Sequence, residues 1–224
     1  MCALELELSR GLIAELRGKT LEKLGCAGRE NADPAILAML EEALDVAARA
    51  VQPKGAYRIL PVLGTGSEGV RTEAGTIRSA MFTRLVEMCG GDPSVVFTMA
   101  TLGDELERTC GADEPVSRQL VFDTVGSLLA EMVADLLESD WRAHVDALGL
   151  QSSQRFSPGY CDWALDGQSV IAASLDPERL GVRLTSHFVM IPSKSVSAVA
   201  ALAREVPIPA PCVFCAKDDC PWRR

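Results

Sequence analysis

Apolar and charged residues alternate in Leu4-Glu5-Leu6-Glu7-Leu8, the two-residue period of a half-buried strand. Ser9 then offers a cap, and Leu12, Ile13, Leu16 and Leu24 recur at roughly helical spacing, so the strand is expected to feed a helix. Asp33-Pro34 joins a capping side chain to a first-turn proline. Ile36, Leu37, Leu40, Leu44, Ala47 and Val51 follow at steps of three and four and stop before Gln52-Pro53-Lys54-Gly55, which predicts a second helix. Tyr57 to Leu63 is aliphatic and short, as a strand would be, and Gly64 to Gly69 interrupts it. A helical set comes next at Ile77, Met81, Phe82, Leu85 and Met88. Beyond the Gly90-Gly91-Asp92-Pro93 break, Val95, Val96, Phe97 and Met99 read as a second buried strand ending at Gly103.

A long helix is predicted from Val116 to about Leu148. Leu120, Val121, Val125, Leu128, Leu129, Met132, Leu136 and Val145 keep one face, with Ser117 near its start and Gly149 just past its end. Gln151 to Asp166 is rich in turn residues, and a short helical stretch runs on towards Leu175. Gly181 to Ala200 reads as two strands joined tightly around Pro192. Helices outnumber strands and the two do not alternate strictly, which favours an α+β fold over a doubly wound sheet. With no repeat at a fixed period, the expected organisation is one domain over residues 1–205 and a Pro- and Cys-rich tail over 206–224.

Charge narrows the function. Lys and Arg number 22 against 31 Asp and Glu, a net −9, which argues against nucleic acid and anionic membrane surfaces as partners. No stretch approaches the ~18 consecutive apolar residues of a membrane span. Glu5 and Glu7 stand where a secretion signal carries basic residues, and no apolar run of ~7–15 residues follows, so a cytoplasmic protein is expected. Eight cysteines there are reduced thiols, to be explained by metal, by a cluster or by plain burial.

Three motifs carry candidate chemistry. Gly64-Thr65-Gly66-Ser67-Glu68-Gly69 matches G-x-G-x-x-G after a plausible strand, but Val70 to Gly75 has no apolar stripe with which to open a phosphate-binding helix. A hairpin connection competes with the nucleotide reading. Cys212, Cys215 and Cys220 place three thiols near the C-terminus at a spacing suited to zinc or an iron–sulfur cluster. A fourth ligand is missing locally, with Cys161 or a partner atom able to complete the set, and a metal-free thiol tail is the alternative. Cys2, Cys26, Cys89 and Cys110 are scattered beside apolar segments and are expected to pack as small hydrophobes. His144 and His187 form no ligand pair, and no H-E-x-x-H, G-x-S-x-G or Walker loop occurs. The chain therefore looks short of self-contained catalytic machinery. In Arg155-Phe156-Ser157-Pro158-Gly159-Tyr160 an arginine offers a planar fork for a carboxylate. The Pro-Gly pair allows close backbone approach, and the tyrosine adds a flat face with a polar tip. The set could clamp an amino-acid-like ligand, against the alternative of a surface turn whose Arg and Tyr merely pack.

The last motif resembles the R-x-x-x-G-Y of the activation (reactivation) domain of cobalamin-dependent methionine synthase, carried here by Arg155, Gly159 and Tyr160. Asp162-Trp163, Gly181-Val182-Arg183-Leu184-Thr185-Ser186 and Pro192-Ser193-Lys194-Ser195-Val196-Ser197-Ala198 resemble further blocks of the family's short, free-standing members. Gly126 to Asp135 is similar to the helix before them. The resemblance implies a C-shaped α+β fold with a bent antiparallel sheet and flanking helices, and a shallow groove for S-adenosylmethionine. In that groove Arg155 would hold the ligand carboxylate, Ser157 and Gly159 would give main-chain contacts, and Glu131 would receive the amino group. Tyr160 would sit at the ligand and face the corrin. The partners implied are a cobalamin-binding methionine synthase subunit without its own activation domain and a flavodoxin or ferredoxin electron donor, the joint task being reductive methylation of inactive Co(II) cobalamin. The sequence departs from the large, fused members after Ala198, where it turns into Pro207-Ile208-Pro209-Ala210-Pro211 and the cysteines. The fused domain's further aromatic contact and its second acidic contact therefore have no counterpart assigned here. Two rival readings remain open: a metal- or iron–sulfur-binding electron-transfer or activator protein for another corrinoid methyltransferase, and a module that senses S-adenosylmethionine without a corrinoid.

Overall fold

The computed structural model describes residues 2–5, 8–26 and 33–206. In chain order the elements are β1 (Cys2–Glu5), α1 (Arg10–Lys23), α2 (Pro34–Ala50), β2 (Lys54–Pro61), β3 (Gly64–Gly66), β4 (Gly69–Thr72), β5 (Gly75–Ile77) and α3 (Ala80–Glu87). They continue with β6 (Ser94–Thr101), α4 (Glu105–Thr109), α5 (Val116–Ala147), β7 (Gln151–Ser152), α6 (Gln168–Leu175), β8 (Arg183–Leu184), β9 (Met190–Ile191) and β10 (Ser195–Ala203). A five-stranded antiparallel sheet, β1-β2-β6-β10-β7, forms the centre. A three-stranded sheet, β3-β4-β5, and a two-stranded ribbon, β8-β9, lie outside it. This is the expected α+β architecture, a bent antiparallel sheet with flanking helices.

Local signals account for the element starts. Ser9 caps α1 by accepting the Leu12 N–H at 3.1 Å, and Asp33 caps α2 by accepting the Ala35 N–H at 2.8 Å with Pro34 in the first turn. The Gly64–Gly69 segment is the hairpin connection: β3 turns directly into β4, and no helix follows Gly69, so the nucleotide reading falls. Ile77, expected at the head of the third helix, instead ends β5, and α3 begins three residues later behind its Ser79 cap. The long helix is where its pattern put it, although Pro115 and not a side-chain cap precedes its first turn. The sequence pattern missed α4. It also missed that Gln151 to Phe156 runs along β10: β7 pairs with Leu202 and Ala203, the Ser153 N–H donates to the Ala201 carbonyl at 2.9 Å, and Phe156 and Val199 exchange backbone bonds of 2.7 and 2.9 Å.

Alternation along the central strands separates two cores. One face (Val96, Ala100, Ala200, Leu202) is covered by α5, against which α1 and α2 pack, with Leu16, Leu40, Leu129, Leu137 and Trp141 buried in the same core. The other (Ala56, Val95, Phe97, Met99, Val199, Ala201) is covered by α3, α6 and the outer strands, with Phe82, Phe156, Trp163 and Ile171 at its centre. Cys26 is buried, Cys89 and Cys110 are half-buried, and burial pushes the Cys89 thiol up, keeping it a neutral donor to the Leu85 carbonyl at 3.3 Å. No helix among the described residues is long and apolar enough to cross a membrane.

Candidate functional site

Successive strand residues point to opposite faces, and this sends Arg155 and Phe156 apart. Phe156 enters the second core, where it stacks on Phe82 (5.8 Å between centroids, 16°) and on Trp163 (5.7 Å, 5°). Arg155 turns to the helical face and meets a row of carboxylates on α5. Its Nε lies 3.1 Å from Glu138 Oε2, and its Nη2 lies 2.5 Å from Asp135 Oδ1 and 3.6 Å from Glu131 Oε2. Glu131, Asp135 and Glu138 stand four and three residues apart, a spacing that puts them on one face of a helix.

The three carboxylates differ in freedom. Glu138 is 17% exposed and is shared with Arg142, whose Nη2 approaches to 2.6 Å and whose Nε donates at 2.7 Å. Arg142 also donates to Ser152 Oγ and to the Ser153 carbonyl, so helix, edge strand and Arg155 are locked together through Glu138. Asp135 and Glu131 are 64% and 58% exposed and hold the other end of the guanidinium only loosely. Arg155 itself keeps 15% of its side chain exposed, and its Nη1 is buried with no hydrogen-bond partner. A buried guanidinium N–H without an acceptor is costly, and a carboxylate that took the place of the exposed Asp135 at Nη2 would span both Nη atoms bidentately.

From Arg155 the chain turns out through Ser157 and Pro158. Gly159 sits at φ +89°, a conformation that favours glycine, and its N–H donates to the Trp163 carbonyl at 2.8 Å. The loop closes on itself through the Trp163 N–H to the Tyr160 carbonyl (3.1 Å) and leaves Tyr160 51% exposed. Trp163 is buried against Gly167, where a Cβ would collide with the indole. Asp162 ties the loop sideways to α3, its Oδ1 accepting from Ser79 Oγ at 2.7 Å and its Oδ2 from the Met81 N–H at 3.0 Å.

The sequence-expected residues Glu131, Arg155, Ser157, Gly159 and Tyr160 thus fall on one helix face and the adjoining loop. Asp135, Glu138, Arg142, Ser79 and the tethering part of Asp162 were not singled out in the sequence. The four-and-three spacing of the carboxylates on a long helix was the available signal for the first two; Ser79 carries the local signal of a helix cap, but nothing near it marks its bond to Asp162. The Pro192–Ala198 block, at the start of β10, meets α5 nearer its N-terminus, away from Arg155. Glu107 accepts from the Ser193 N–H (2.9 Å) and Oγ (2.6 Å), Lys194 reaches Asp123 and Ser127, and a cavity of about 420 Å³ adjoins them. That cavity includes neither Arg155 nor Tyr160. Cys212, Cys215 and Cys220 lie outside the described residues. Among the described residues no group of His, Cys, Asp and Glu is arranged to hold a metal.

No protein-family profile matches this sequence, and no curated protein matches it. Among solved structures, the chain is similar to the crystal structure of the MetH reactivation domain bound to AdoHcy. The TM-score is 0.62 at 16% identity, over 89% of this chain and 78% of the other. At that identity the likeness establishes a shared fold.

Proposed function

We propose that this chain binds S-adenosylmethionine beside Arg155 and acts as a separate accessory subunit for reductive methylation of the cobalamin of a methionine synthase that lacks its own activation domain. The observation that carries the reading is the Arg155 fork. Glu138 holds Nε in place, Nη1 is buried and unsatisfied, and the two carboxylates on the Nη2 side are free to swing into solvent. The AdoHcy-bound neighbour, of the same fold, supports the ligand class.

S-adenosylmethionine supplies the activated methyl group. Arg155 would take its carboxylate in place of the exposed Asp135 side chain, and Glu131, exposed on the same face of α5, would receive the ligand ammonium. Ser157 and Gly159 present main-chain groups, the latter with no Cβ to hold the ligand off. The exposed ring of Tyr160 would cover the ligand and face the corrin of a cobalamin-carrying partner, for which a flavodoxin or ferredoxin would supply the electron. Calorimetric titration of the chain with S-adenosylmethionine, with Arg155→Ala alongside, tests the site. Loss of a charge-assisted pair of about 1.5–3 kcal/mol weakens binding roughly 10- to 150-fold in the variant. Equal affinities, or no binding by the unmodified chain, would end this reading. Tyr160→Ala is expected to keep the melting temperature and lose reactivation of a cobalamin partner; full turnover would remove the tyrosine from the mechanism.

The spacing of Cys212, Cys215 and Cys220 supports a second, compatible reading, in which the tail carries zinc or an iron–sulfur cluster and the chain serves electron transfer to another corrinoid methyltransferase. Elemental analysis and visible absorbance of anaerobically purified protein decide it.

A further inference from the structure

Tyr160 is half exposed, so packing of its own ring does little to fix where it stands. The loop is instead gripped at its base and from its side. At the base, Phe156 and Trp163 stack as neighbours in a three-ring column that ends on Phe82. From the side, Asp162 spends both carboxylate oxygens on the first turn of α3, one on Ser79 Oγ and one on the Met81 N–H. Ser79 Oγ is itself the cap of α3, accepting the Phe82 N–H at 3.0 Å. The same short stretch, residues 79–82, therefore receives the loop twice, once through the ring of Phe82 and once through the hydroxyl and amide that bind Asp162. Bonds to an ionised carboxylate are stronger than neutral ones, and the helix N-terminus favours the negative charge.

We propose that Asp162 is the positioning residue of the ligand loop: by bridging Ser79 and Met81 it sets where Gly159 and Tyr160 stand. The inference rests on the S-adenosylmethionine reading and adds to it a residue that touches no ligand and an anchor some 80 positions away in the chain.

The test combines amide hydrogen exchange with S-adenosylmethionine titration, on the full chain and on Asp162→Ala, Asp162→Asn and Ser79→Ala. Asp162→Ala is expected to speed exchange at Gly159, Tyr160 and Trp163 by about tenfold or more while α2 and α5 keep their rates. The dissociation constant for S-adenosylmethionine is expected to rise by about tenfold as the loop loses its orientation. Asp162→Asn retains a carbonyl oxygen for the Met81 N–H and is expected to recover part of both effects, while Ser79→Ala moves both in the same direction. Unchanged loop exchange, or an increase spread evenly over the whole chain, would overturn the proposal. So would a loosened loop with unchanged affinity. If the unmodified chain does not bind S-adenosylmethionine, the functional reading fails, and the exchange contrast alone decides whether Asp162 holds the loop.

Discussion

The two faces of the central sheet are built differently. On one, the long helix α5 lies on the strands and α1 and α2 pack against α5, so that face is built of helices, with the stripes of α2 and α5 recurring at three and four along the sequence. On the other, α3, α6, two small β-structures and an aromatic column drawn from α3 and the loop after β7 fill the space. The candidate site stands where they meet. The helical face lends it a row of carboxylates at fixed spacing; the patchwork face holds the loop that carries Gly159 and Tyr160. A rigid helix is a good place for charge that must keep its distances, and a short loop over an aromatic stack is a good place for groups that approach a ligand.

The sharpest way to break that division is to open a cavity on each side. Trp163→Ala is expected to cost about 3–5 kcal/mol and Leu40→Ala about 2–5 kcal/mol in urea denaturation. Only the first should also weaken S-adenosylmethionine binding, since Leu40 is on the buried face of α2, away from the loop. Similar affinity losses in both would mean that the two faces are not separable.

A smaller contrast is expected within the carboxylate row. Glu138→Gln, which unsettles both Arg142 and Arg155, should lower stability by about 1–3 kcal/mol. Asp135→Asn should cost under about 1 kcal/mol, because its side chain is 64% exposed and the pair is screened, and should leave ligand affinity at or above that of the unmodified chain. If the two variants rank the other way, Asp135 and not Glu138 is what holds Arg155.

The smallest effect concerns acid. On the helical face Arg118 hydrogen-bonds Glu42, at 2.7 Å for the closer oxygen, and holds its carboxyl below the ordinary value of about 4.3. A folded-state value lowered in this way stabilises the protein above the ordinary value, and the contribution is lost as pH falls through the lowered one. With Glu42 49% exposed, the loss between about pH 5 and the acid limit is expected to be under ~1 kcal/mol, weaker in high salt and missing in Glu42→Gln. Melting curves across that range, at two ionic strengths, measure it.

How much was legible follows the same division. The Ser9 and Asp33 caps, the stripe of α2 and the length of α5 could be read because each depends on neighbours within a few residues. In the loop, Arg155, Gly159 and Tyr160 were visible as a motif, yet Gln151 to Phe156 read as turns although it lies along β10. Its pairing partners, Val199 to Ala203, are more than 40 positions away, and no local pattern announces them. Ile77 went to the wrong element for a similar reason: its spacing suits a helix, but it is buried as the last residue of β5, opposite Val70.

By itself the sequence determined the elements whose stability is local, the α+β class and the R-x-x-x-G-Y signature, because periodicity, caps and turn residues act over a few positions. Only the tertiary structure decided that Glu138 grips Arg155, that Nη1 is left buried without an acceptor, and that Asp162 is bound to Ser79. Those pairings join segments brought together by sheet register and by the two cores, and register is a property of the whole fold, since a slip of one residue would exchange the places of Arg155 and Phe156.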